Sequence, residues 1–227
     1  MKLKEYFAQL KIDLKPMTFS QKVDHIWTYN KELILIVLGL SVLIIGLLVA
    51  FLQKPDVVFS GYLVNAELTN KGASYLTSDY GNVIGVRGKQ EVQLQKGIYN
   101  PALTEAGEQS SVTRVQITAL CSDQSLDYII ADKTTMELML MDGFCTDLST
   151  FFTAEEFALL QDKMLVGAQE DGTMICYAVN ISDTKFYNDC VVDEAVVGRP
   201  ELYICFVNNT KNIDRCHEFW NYLNSWK

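Results

Sequence analysis

The chain has 227 residues, with 28 acidic side chains against 19 basic ones and a formal charge of −9, and the residues beyond 52 are enough for one substantial core or two small lobes. The imbalance deepens beyond residue 52, where 13 Lys and Arg face 24 Asp and Glu and leave −11. A surface of that sign repels phosphate backbones and anionic lipid, which excludes nucleic acid as a partner and anionic lipid as a partner of that part.

Taken from the start, Leu3, Tyr6, Phe7 and Leu10 fall on one face of a short helix flanked by lysines, a pattern suited to lying on an anionic inner leaflet. Lys15-Pro16 breaks it. Thr18 followed by Gln21 is a capping box for a second helix carrying Phe19, Val23, Ile26 and Trp27, with Trp27 and Tyr29 near a membrane interface and His25 an interfacial polar residue. From Leu33 to Leu52 no residue is charged, and about 20 helical residues span the hydrocarbon core of a bilayer. The run is longer than a signal-peptide core and is followed by Gln53-Lys54-Pro55, with no small-residue cleavage site, so a retained anchor is expected. Six lysines precede the run (Lys2, Lys4, Lys11, Lys15, Lys22, Lys31) and Lys54 alone follows closely, which places the N-terminus in the cytoplasm and the C-terminal domain outside the cell. The expected organisation is residues 1–32 as cytoplasmic amphipathic helices, 33–52 as the transmembrane helix and 53–227 as an extracellular domain.

In that domain, Val57 to Val64 is apolar and β-branched, a buried strand. Asn65 to Leu76 is expected to be helical, Gly81 to Gly88 a turn region, and Glu91 to Gln95 a half-exposed strand. Asn100 to Ser110 is expected to be a loop, followed by a helix from Ser111 with Val112, Val115, Ala119 and Leu120 on one side. Leu126 to Ala131 is a buried strand ending at Asp132, and Thr134 with Glu137 is expected to cap a helix that stops at Asp142-Gly143. Thr153 with Glu156 caps another, carrying Phe157, Leu159, Leu160 and Met164. Strands over Thr173–Val179 and Leu202–Val207 and a helix over Asp214–Tyr222 complete the chain. Strands alternating with helices predict a mixed, largely parallel α/β domain.

Ser125 to Asp132, then a helix, then Gly143-Phe144-Cys145-Thr146-Asp147-Leu148-Ser149, resembles the extracellular solute-binding proteins of bacterial ABC transporters. Asp171 to Ser182 is similar to their crossover strand without its usual proline, and Leu202 to Leu223 to their closing strand and helix. The resemblance covers about 110 residues and implies a periplasmic-binding-protein-like fold, while Asn180 to Pro200 leaves little room for the family's second lobe. Helix-anchored and short, the chain also resembles uncharacterised single-pass membrane proteins of Gram-positive bacteria.

All six cysteines (Cys121, Cys145, Cys176, Cys190, Cys205, Cys216) lie in the outer domain, where up to three disulfides among 15 pairings are open. His217 beside Cys216 lacks the further ligands of a zinc site, so no metal and no cofactor is expected. With one histidine in the domain, no Gly-x-Ser-x-Gly and no phosphate loop, no catalytic residue is assigned; the pairs Asp127/Asp132 and Asp142/Asp147 sit where strand ends and turns favour aspartate anyway, so a hydrolase is the least favoured reading. The expected function is that of a non-catalytic binding or interaction module at the membrane, accessory to a transporter or envelope complex. The alternative is a receptor for a small extracellular ligand, with Asp132, Thr134 and Thr135 as its contacts because they follow a strand and open a helix. The expected partners are therefore the bilayer through 33–52, a membrane protein, or a small molecule.

Overall fold

Pro16 and Thr18 set where the long N-terminal helix starts. The computed structural model describes residues 11–12, 14–99, 107–192 and 199–227, with only the backbone described for Tyr29, Asn30, Leu33 and residues 107–110. The amphipathic face from Leu3 to Leu10 and the side chain of Tyr29 lie outside it. Turns in which Lys15 N donates to Ile12 O (3.2 Å) and Met17 N to Leu14 O (3.3 Å) surround the proline. Thr18 N donates to Gln21 Oε1 (3.0 Å), the expected cap, and α1 then runs unbroken from Phe19 to Gln53. Within it Ile34–Gln53 is long and apolar enough to cross a bilayer. Ser41 returns its hydroxyl to Val37 O (2.8 Å), so the helix satisfies its own polar groups. Residues up to Lys54 form one unit and Pro55–Lys227 a second.

The second unit is a mixed α/β domain. Strand β1 (Asp56–Val64) is an interior strand of the sheet, buried on both faces over its second half. The segment expected to be helical from Asn65 instead opens with Asn65 at φ 56° and a two-residue strand, β2 (Glu67–Leu68). The helix begins later, when Thr69 accepts from Gly72 N (3.1 Å): α2 (Asn70–Ser74) runs through a π-helical turn, Tyr75–Asp79, into α3 (Tyr80–Val83). The glycine-rich turn then holds Gly85 and Gly88 at positive φ before β3 (Gln90–Gly97). Part of the expected loop at 100–110 lies outside the described residues, and α4 (Gly107–Ser122) already includes its end.

The remaining elements are β4 (Tyr128–Ala131), α5 (Lys133–Met141), α6 (Leu148–Phe151), α7 (Ala154–Leu160), β5 (Met164–Ala168), β6 (Met174–Asn180), α8 (Lys185–Cys190), β7 (Val191–Val192), β8 (Tyr203–Phe206) and α9 (Ile213–Asn224). Six strands form one sheet in the order β3-β1-β4-β8-β6-β5, while β2 and β7 pair separately. The sheet is less parallel than expected. Its β3-β1-β4 part is parallel, but β4–β8, β8–β6 and β6–β5 are antiparallel. The tight turn at Glu170-Asp171-Gly172, with Gly172 at φ 84°, makes β5–β6 a hairpin, and a hairpin can only be antiparallel.

Alternation along the strands sends residues into two cores. Phe59, Leu63, Tyr128, Ile130, Ile204 and Phe206 face a layer holding α2, α3, α8 and α9. Tyr62, Val64, Ile129, Ala131 and Cys205 face α4 and α5. Phe219 of α9 anchors the first core, stacked on Tyr128 with centroids 4.3 Å apart, tilted against Phe59 at 5.3 Å and edge-on to Tyr80 at 5.0 Å. Gly61 makes that cluster possible, because a Cβ there would fall 2.1 Å from Tyr128 Cζ. On α4 the buried stripe is Thr113, Ile117 and Cys121, while Val112 and Val115, on the apolar side read from the sequence, are 54% and 67% exposed. The helix is rotated relative to the valine pattern because Thr113, Ile117 and Cys121 keep the i, i+4, i+8 spacing that one face requires.

Candidate functional site

The strand order reverses at β1, which has β3 on one side and β4 on the other, and ligands of open α/β sheets enter at the carboxyl ends of strands beside such a reversal. At the ends of β1 and β4 the chain places Asn65 and Asp132. Asn65 Nδ2 donates to Asp132 Oδ2 (2.7 Å), to Tyr99 O (2.6 Å) and weakly to Thr135 Oγ1 (3.4 Å), while Tyr99 N donates to Asn65 Oδ1 (2.7 Å). Asp132 Oδ1 accepts from Thr135 N (2.8 Å), which makes Asp132 the N-cap of α5. Thr134, expected to be the cap, is the second residue of the helix. Aspartate at an extended strand end reaches the first-turn N–H groups better than a threonine already inside the turn. Of the three predicted contacts, Thr135 is 1% exposed, Asp132 is half-buried with both oxygens engaged, and Thr134 is exposed. Asn65, which ties them together, was not anticipated; its signal is a non-glycine residue at a sharp strand exit.

Each other singled-out carboxylate has its own structural task. Asp127, at the opposite end of β4, is 3% exposed and accepts from Ser60 N (2.7 Å), Asn212 Nδ2 (3.0 Å) and the Thr210 hydroxyl. Asp142 receives a two-pronged contact from Arg114, at 2.7 and 3.2 Å, which holds the guanidinium protonated to higher pH. Asp147 caps α6 through Ser149 N (3.0 Å). In the Thr153–Glu156 capping box, the hydrogen bonds from Thr153 hold the Glu156 carboxyl below its ordinary range.

All six cysteines are free thiols, and all but Cys176 are buried. Cys121, Cys145 and Cys205 share the second core; burial pushes the Cys121 thiol up to about 12, and a hydrogen bond with Cys205 and burial raise Cys145. Cys216 turns toward Asp127 O (3.7 Å) while His217 stacks flat on Phe151 with centroids 3.8 Å apart, so the neighbours diverge. Among the described residues no group of three or more His, Cys, Asp or Glu converges on a metal-sized point. A cleft of about 210 Å³ beside α8 and α9 presents Lys163 and Lys185, but each is paired, with Asp183 and Asp189.

One surface stands apart from this self-satisfied polar inventory. Strand β5, not expected from the sequence, forms one margin of the sheet, with β6 as its neighbour. Val166 is 58% exposed and Met174, across the hairpin beside Ala168, is 63% exposed. Val166, Ala168 and Met174 continue the face that Met164 and Val179 bury, so an apolar strip runs out from under the helical layer. Known protein families, curated proteins and solved structures offer no match to this chain.

Proposed function

We propose that this chain is a membrane-anchored interaction module without catalytic activity, whose α/β domain stands outside the cell and docks a protein partner at the β5–β6 margin. The apolar strip Val166–Ala168–Met174 carries the reading: it lies along two uncharged strands on a strongly acidic domain, where solvation alone favours polar residues. An exposed strand edge beside an apolar strip is the surface that strand addition uses. The anchor is the uncharged span of α1, and the lysine excess before it supports a cytoplasmic N-terminus. The mutual hydrogen bonds of Asn65, Asp132, Thr135 and Tyr99 supply one another with partners, which favours docking over capture of a small ligand at that end.

The test is purification of the full-length protein from its native membrane in mild detergent, beside a Val166→Lys/Met174→Lys variant. A stoichiometric companion, either another protein or a second copy of the chain read from the size of the assembly, held by the wild type and lost from the folded variant is the expected result. Companions unchanged by the two lysines would remove the β5–β6 margin from the reading. A small ligand whose binding is weakened by Thr134→Ala would make the chain a receptor instead.

A further inference from the structure

The two margins of the sheet differ in how they meet solvent. Strand β3 carries Gln90, Glu91, Gln93, Gln95 and Lys96, and Lys96 pairs with Glu67; charged and polar side chains along an edge oppose pairing with another chain. Strand β5 reads Met-Leu-Val-Gly-Ala with no charge. The irregularity in its hairpin falls on the other strand: Leu165 pairs with Ala178 and Val166 with Cys176, so Tyr177 is the extra residue and β5 itself stays regular.

We propose that the partner at this margin is a second copy of the chain, with β5 pairing antiparallel to β5 about Val166 and joining the two sheets. This rests on the docking reading above and names its occupant. A two-fold axis at Val166 sets Val166 against Val166, Leu165 against Gly167 and Met164 against Ala168, so each large side chain flanking the axis meets a small one. Such self-complementary volumes are what an isologous contact needs, and a charged edge would set like charges opposite each other. The apolar strips of the two copies then lie side by side across the new strand pair and shield each other from water. A contact of five residues per strand is smaller than a standard stable interface, so anchorage of both copies in one bilayer supplies the effective concentration.

Directly opposed residues in antiparallel strands have Cα atoms about 4.5–5.5 Å apart, within disulfide range. The experiment therefore places a single new thiol by Val166→Cys in the full-length protein in native membranes, under mild oxidation. A Cys176→Ser background is used because Cys176 lies across the hairpin from Val166. Most of the chain is expected to run as a disulfide-linked dimer, at least tenfold more than for Gln93→Cys on the β3 margin. A Val166→Cys protein that stays monomeric, or crosslinks no better than Gln93→Cys, overturns the self-pairing. If it stays monomeric while Val166→Lys/Met174→Lys still strips a different companion, the docking reading survives and the second copy is excluded. If neither variant has an effect, both fall.

Discussion

Asp127 and Asp132 bracket β4, and the chain uses the same side chain at its two ends for different tasks. At the amino end, Asp127 is nine-tenths buried or more and joins three elements: Ser60 of β1, Thr210 and Asn212 before α9, and Val207 after β8 through its own carbonyl (3.0 Å). At the carboxyl end, Asp132 is half-buried, caps its own helix and touches β1 through one amide. A carboxylate out of water needs every lone pair answered, whereas one at a half-exposed strand end keeps water as an alternative. Similar hydrogen-bond counts therefore imply unequal stability, and the buried end is the brittle one.

The comparison breaks first at Asp127. Asp127→Ala leaves Ser60 N–H, the Thr210 hydroxyl and the Asn212 amide without their acceptor in the interior, and is expected to cost about 3–5 kcal/mol. Urea unfolding of the full-length protein in detergent, followed by tryptophan fluorescence, reads that loss; a cost below about 1 kcal/mol would mean water reaches the site. The same end also gives stability a pH dependence. Burial, and then the Asp127 charge, push the Cys216 thiol far above its ordinary value. A raised folded value means that the stability is complete below the unfolded thiol's value, near 9, and is lost as pH rises above it. Each pH unit beyond that point removes about 1.4 kcal/mol for such a thiol. From pH 7.5 to 10 the wild type is expected to lose more stability than Cys216→Ala, whose remaining loss comes from thiols such as Cys121.

How much of this was legible follows from what a one-dimensional pattern encodes. The centres of β1, β4, β6 and β8, the α9 face with Phe219 and Trp220, and the Thr153–Glu156 cap all declare themselves through apolar runs or short-range caps. Periodicity has no direction, so nothing in Leu202–Val207 reveals that β8 runs against β4. Strand β5 was hidden because Met164 continued the helical spacing of Leu160, whereas the chain turns through Gln161–Lys163 and Met164 opens a strand. Leu159, one of the apolar residues of that helix, is 81% exposed. Helix α8 was hidden in a stretch that the solute-binding resemblance left nearly empty. At the candidate site, Asp132 and Thr135 were visible as a strand end and a helix start. Asn65 was not, since its bonds to them span 67 and 70 residues and no local pattern encodes them.

The smallest effects sharpen the contrast at the carboxyl end. Asp132→Ala removes a cap and is expected to cost about 1 kcal/mol, several-fold less than Asp127→Ala, because Asn65 Nδ2 keeps Tyr99 O and the first turn of α5 is reached by water. Asp132→Asn, an equally good cap, is expected to recover most of that loss. Thr134→Ala lies on the exposed first turn and is expected to stay within about 0.5 kcal/mol of wild type. The three substitutions thus order a cap, its isosteric repair and a bystander in one denaturation series. A Thr134→Ala cost as large as that of Asp132→Ala would mean that the threonine hydroxyl, and not the aspartate, holds the start of α5.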